Sequence, residues 1–244
     1  MCGIFFYFGK TLTNEYLEFE YNKIQHRGPS NSINKIVNIK NDKKLFFGFH
    51  RLSINGLDEL SNQPFENDGI YLICNGEIWN SPDLREKYQE KYGPYLSNSD
   101  NEVVLYAYLE DELHLLDGMF SFIIEHDGRI VVARDWMGKM PLWYAYNNVL
   151  EDVHYMFASE IKGLQKINIP KIDKNGKNTI SLLHKNMVMV LNWKKTKYEV
   201  SYVARGESVR YHEMEKKIEG FYINSNYTDY DTKKYNTFFH DYKL

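Results

Sequence analysis

Cysteine is nearly absent: Cys2 and Cys74 are the whole complement of a chain of 244 residues. Two thiols imply no disulfide framework, and a reducing compartment fits such sparse use best. Long apolar runs are missing as well. The run Ile4-Phe5-Phe6-Tyr7-Phe8 is too short to span a bilayer and lacks the basic flank and cleavage site of a signal peptide. Charge of one sign is not in excess, since 30 Lys and Arg against 33 Asp and Glu leave a net charge of −3. That balance argues against a nucleic-acid footprint or an acidic-membrane partner. No internal repeat is present, and no metal or cofactor is implied. These absences lead us to expect a soluble, cytoplasmic protein of one large domain or two small ones. The 20 Tyr residues read as compositional bias and carry no mechanism.

What is there begins at the second residue. Removal of Met1, usual before a small residue, leaves Cys2 with both a thiol and a free α-amine. The thiolate is the reactive form of cysteine, and an unperturbed thiol near pKa ~8.5 gains from a nearby base. An α-amine near ~7.7–8.0 suits that task at neutral pH. A nucleophile served by its own amine is one variant of triad logic. A cysteine opening a strand is more often an inert hydrophobe. The downstream residues decide between the two.

Ile4 to Phe8 reads as a strand buried on both faces and closed by Gly9. Asn14 to Gln25 predicts a helix with Tyr16, Leu17, Tyr21 and Ile24 on one side, ending before the loop His26-Arg27-Gly28-Pro29. Lys44 to Phe49 is a second strand, followed by Arg51, a fork donor for a carboxylate or a member of an ordinary salt bridge. Ile70 to Cys74 is a third, running into Asn75-Gly76-Glu77. A side-chain amide and a glycine N–H at a strand end can point two donors at one spot, as an oxyanion hole requires. An Asn-Gly hairpin turn is the competing reading, weakened because Ile78-Trp79 is no alternating return strand.

Ser81-Pro82-Asp83 caps a helix expected to reach about Tyr92, and Ser99-Asp100-Asn101-Glu102 starts another through Leu109. Asp100 is a cap, a counter-ion for an amine, or both. Leu116 to Glu125 and Arg129 to Arg134 form a hairpin; Leu142 to Tyr146 and His154 to Ala158 are two more strands; Ser159 opens a short helix to Leu164. Thr179 to Asn192 holds one further candidate strand. A boundary is expected in Lys171 to Asn178, dividing a domain of residues 1–170 from a polar, Tyr-rich extension of 171–244 without readable chemistry.

The ordered set Met1-Cys2-Gly3-Ile4, His26-Arg27-Gly28-Pro29, Arg51-Leu52-Ser53-Ile54, Asn75-Gly76-Glu77-Ile78-Trp79-Asn80 and Ser99-Asp100-Asn101-Glu102 resembles the class II glutamine amidotransferase domain. Within that class it is most similar to the amino-terminal half of asparagine synthetase. Asp117-Gly118-Met119-Phe120-Ser121-Phe122, Arg134 to Leu142 and Ala158 to Lys162 continue the match, which spans about residues 1 to 165.

The resemblance implies an α+β, N-terminal nucleophile hydrolase fold: a four-layer αββα sandwich of two mostly antiparallel sheets. It implies that Cys2 attacks the side-chain amide of glutamine, its α-amine moving the proton, while Asn75 and Gly76 hold the oxyanion. Arg51 then clamps the substrate α-carboxylate with Ile54 in the same binding set, and Asp100 and Glu77 hold the α-ammonium.

Two departures stand out. The family usually has an acid where this chain has Ser30. The chain also has no Gly-Gly dipeptide and hence no Ser-Gly-Gly-x-Asp-Ser phosphate loop of a synthetase domain. The expectation is a glutaminase whose ammonia goes to a separate or missing ATP-dependent synthetase subunit. The competing readings are a catalytically silent regulatory or binding protein, and an amidase acting on another γ-glutamyl compound.

Overall fold

In a computed structural model, residues 1–40, 42–147, 154–164, 180–183, 187–192 and 197–202 are described. In chain order they form β1 (Gly3–Gly9), α1 (Asn14–Asn22), β2 (Asn31–Asn38), β3 (Lys44–Arg51), β4 (Phe65–Asn67), β5 (Ile70–Ile78) and α2 (Ser81–Tyr92). Then follow α3 (Val103–Leu109), β6 (Gly118–His126), β7 (Arg129–Arg134), β8 (Trp143–Asn147), β9 (His154–Ala158), β10 (Ile180–Leu182), β11 (Met187–Asn192) and β12 (Lys197–Tyr202).

Continuous apolar sequence explains β1. All seven of its residues are buried, because it lies inside a sheet covered on both faces. That sheet runs β10-β8-β9-β1-β3-β2, and a second runs β12-β11-β7-β6-β5-β4. Every pairing of neighbours is antiparallel. Alternation sorts the side chains into three cores. Ile4, Phe6, Phe47 and Phe157 of the first sheet meet Ile73, Ile123 and Val132 of the second. Phe5, Tyr7 and Phe46 on the other face of the first sheet pack on Leu17, Tyr21 and Ile24 of the α1 segment. Leu72, Cys74, Phe122 and Val131 of the second sheet pack on Leu84, Tyr88 and Val104 of α2 and α3. The result is the expected αββα sandwich.

Several boundaries differ from expectation, each for a local reason. α1 stops at Asn22 rather than Gln25: fully buried Ile24 leaves helical geometry (φ −103°, ψ 11°) and a 3₁₀ turn, Gln25–Arg27, replaces the expected loop. α2 is capped by the backbone of Asn80, not by Ser81. The Asn80 amide serves Leu115 O at 2.8 Å and Asp117 N at 3.0 Å instead. β2 was not anticipated, because as the outermost strand beside β3 it is half-exposed and mostly polar. β5 runs on four residues past Cys74, so the Asn-Gly pair lies inside a strand and makes no hairpin turn.

The stretch Thr179 to Asn192 is two strands rather than one. β10 pairs with β8 in one sheet and β11 with β7 in the other. The boundary expected at Lys171 to Asn178 lies outside the described residues, as does everything after residue 202.

Candidate active site

Cys2 stands one residue before β1, where the register puts Gly3 opposite His50 of β3. The chain leaving β3 therefore passes the thiol: Cys2 Sγ lies 3.4 Å from Leu52 N, which donates to it, and 3.7 Å from Leu52 O. On its other side the Cys2 carbonyl accepts from Arg27 Nε at 2.9 Å. Arg27 reaches it because the turn at Gly28 lies flat against β3, where any Cβ would collide with the His50 carbonyl. Burial raises the Cys2 thiol above its ordinary pKa. The Leu52 backbone, the terminal amine, Arg51 and Arg27 pull the other way.

The facing wall comes from β5. Alternation sends Tyr71 and Ile73 into the inter-sheet core, and the same period of two carries Asn75 and Glu77 onto that face. The pattern changes from apolar to polar where the core gives way to a cleft. Asn75 is 1% exposed, and its Nδ2 is buried with no hydrogen-bond partner among the described residues. Gly76 abuts β6 so closely that an added Cβ would fall 2.7 Å from Phe120 Cα.

Asp100 opens a 3₁₀ turn, Asp100–Glu102, but is not its cap; Ser99 Oγ accepts from Asn101 N instead. The Asp100 carboxylate accepts from Ile78 N at 2.7 Å. Burial first, and the Glu77 charge after it, raise its pKa, against the backbone amides and the Asn55 side chain. Two carboxylates facing one cleft disfavour each other's charge and favour a cation between them.

Arg51 is 6% exposed and hydrogen-bonds no carboxylate among the described residues. Its Nη1 donates to Asp58 O at 3.0 Å and Asn62 Oδ1 at 2.8 Å, and its Nη2 to Gly56 O. The guanidinium thus holds the segment 55–62 as well as facing the cleft.

One cleft of about 80 Å³ is lined by all seven residues singled out from sequence: Cys2, Arg51, Ile54, Asn75, Gly76, Glu77 and Asp100. Ile54 is at its rim, 66% exposed. Met1 also lines it, directly beside the thiol. Among the other residues of the lining, Leu52, Asn55, Ser99, Met119 and Met140 were given no site role from the sequence. Leu52 acts through its backbone and the two methionines through shape, so residue type gave no signal. Among the described residues no group of three or more His, Cys, Asp or Glu is arranged to hold a metal, and no helix is long and apolar enough to cross a membrane.

A thiol at the head of a buried strand, at the mouth of an αββα sandwich, defines an N-terminal-nucleophile-hydrolase-like protein. The chain belongs to the class II glutamine amidotransferases: the profile of the glutamine amidotransferase domain family matches residues 1–222. It is 37% identical over 190 residues to asparagine synthetase (glutamine-hydrolyzing) 1 of Bacillus subtilis, covering 71% of this chain and 28% of that protein. It is 31% identical over 208 residues to the probable asparagine synthetase of Acanthamoeba polyphaga mimivirus, covering 78% of this chain and 36% of that protein. The chain thus spans about a third of the length of these relatives. Its fold is shared with glutamine phosphoribosylpyrophosphate amidotransferase from B. subtilis, at TM-score 0.63 and 17% identity over 83% of this chain and 49% of that one.

Proposed function

We propose that the chain hydrolyses the side-chain amide of glutamine with Cys2 as nucleophile. The observation that carries this reading is the Asn75 amide, whose Nδ2 is buried without a partner in the wall of the cleft that holds the Cys2 thiol. A buried donor left unpaired costs roughly 1–3 kcal/mol, a cost that a substrate oxyanion at that position offsets.

With Met1 removed, the α-amine of Cys2 takes the thiol proton and the thiolate attacks the amide carbon. Asn75 Nδ2 and the Gly76 N–H donate to the oxyanion as it forms. The amine returns its proton to the departing nitrogen, the C–N bond breaks, and ammonia leaves a thioester on Cys2. Water, giving a proton to the same amine, attacks the thioester and releases glutamate and the thiol. Arg51 takes the substrate α-carboxylate, Glu77 and Asp100 the α-ammonium, and Ile54 covers the rim. By likeness to relatives named as asparagine synthetases, the ammonia passes to an ATP-dependent synthetase that forms asparagine.

The base in this scheme belongs to Cys2 only once Met1 is gone. The decisive experiment is an intact-mass spectrum before and after treatment with a diazo-oxo-norleucine, alongside glutamate release from glutamine. The expected result is a chain lacking Met1, one adduct on Cys2, and turnover that the adduct abolishes. A chain that lacks Met1 yet takes no adduct and releases no glutamate overturns the proposal in favour of a binding protein.

A further inference from the structure

Among the described residues, Arg27 is the one side chain that hydrogen-bonds the Cys2 backbone, and what holds Arg27 is a residue the proposed chemistry does not use. Its side chain is only 8% exposed. Nε donates to Cys2 O at 2.9 Å, Nη1 to Glu160 Oε1 at 3.1 Å, and Nη2 is buried with no partner among the described residues. Among the described residues two of the three nitrogens of this buried cation therefore have acceptors, and Glu160 supplies the only charge-matched one. Glu160 is well placed to do so. β9 ends at Ala158, and Ser159 then ties its main chain to β1 twice: Ser159 Oγ accepts from Ile4 N at 2.9 Å, and Ser159 N donates to Ile4 O at 2.9 Å. The next residue along reaches past β1 to the guanidinium. His26 Nε2 at 2.9 Å and Lys162 Nζ at 3.1 Å steady the carboxylate from the solvent side.

We infer that Glu160 is a positioning residue for Cys2, acting through Arg27. The thiol is fixed on one side by Leu52 and the carbonyl on the other by Arg27, so the rotation of Cys2, and with it the placing of its amine against its thiol, depends on both. Without Glu160 the Arg27 cation is left buried with one acceptor, a carbonyl, and moves to water. The Cys2 carbonyl is released with it. Substrate contacts at Arg51, Glu77 and Asp100 lie elsewhere in the cleft and are not disturbed. The catalytic part of this inference rests on the glutaminase reading; the structural part does not.

The experiment therefore has two readouts on full-length protein, for wild type, Glu160→Ala, Glu160→Asp and Lys162→Ala. The first is alkylation of Cys2 by iodoacetamide, followed by mass, which needs no turnover. Glu160→Ala is expected to react at least threefold faster than wild type as the terminus loosens, with Lys162→Ala within twofold. The second is glutaminase kcat per Cys2 titrated with the affinity label, which counts only folded sites. Glu160→Ala is expected to lose about tenfold or more in kcat with KM within twofold, and Glu160→Asp to recover part of it.

Unchanged alkylation in Glu160→Ala overturns the inference whatever the activity. So does a kcat per site within twofold of wild type, or an equal loss in Lys162→Ala, which would mark a turn that merely folds poorly. Wild-type protein without turnover, together with faster alkylation in Glu160→Ala, overturns the glutaminase reading and leaves the clamp on Cys2 supported.

Discussion

Cys2 and Cys74 face different layers of the same sandwich. Cys2 opens into the cleft, and although burial raises its thiol, a backbone N–H and two guanidinium groups oppose the rise. Cys74, fully buried on the helical face of β5, donates to Asn101 Oδ1 at 3.2 Å, and burial first, with the Asp100 charge after it, pushes its thiol further up. Both are shielded from water, and shielding alone makes a thiol inert. Burial is deeper at Cys74, and the sign of the neighbours adds to the difference: donors and cations around Cys2, an acceptor and an anion beside Cys74. Reactivity here is a property of the wall a residue faces.

Exchange at the two positions tests that contrast most sharply. Cys2→Ala is expected to cut glutamate release at least about a thousandfold, whereas Cys74→Ala leaves kcat within about threefold. Equal losses would end the distinction. The next largest effect belongs to the residue after Cys74, which points the opposite way. Asn75→Ala removes the unpaired donor and should lower kcat by about 3–4 kcal/mol of transition-state stabilisation with little change in KM. A rise in KM alone would assign Asn75 to ground-state binding.

The buried cysteine should show itself in stability instead. Cys74→Ala is expected to cost about 1–2 kcal/mol in urea unfolding, and no measurable cost would mean its contacts are dispensable. The smallest effect concerns Asp100, between the two sites. Its pKa is raised in the fold, so the folded state binds a proton more readily than the unfolded chain, and charging it costs stability at every pH above its folded value. Asp100→Asn should therefore raise the melting temperature at pH 7, with the gain shrinking as pH falls through the raised folded pKa and gone by about 3.9, the ordinary aspartate value, while glutamine KM rises. A melting temperature that falls at pH 7 would contradict the burial argument.

The strands that build the core were legible because their residues are apolar on both faces: β1, β7 and β9 came within a residue of their ends. Legibility failed where a strand does not bury what it carries. β2 is polar because it is an outer strand, and the second half of β5 is polar because its face turns from core to cleft. The seven site residues were readable by type and order, through a family pattern rather than from periodicity. Their supports were not. Arg51 holding Gly56 O and Asp58 O, and Leu52 holding the thiol through its main chain, are contacts to backbone, which no residue type announces.

Gly28 and Gly76 lie on the two walls, one behind the turn that carries Arg27 and the other beside Asn75, and each is closed to even a methyl group. For sequence drift this makes the cleft a pair of fixed points. Surface positions in the same loops can wander and core positions can trade one hydrophobe for another, but at these two places the accessible neighbourhood of sequences shrinks to glycine. A saturation library selected for activity should show two isolated columns without substitutes, and the distance between the walls would be the quantity under selection there.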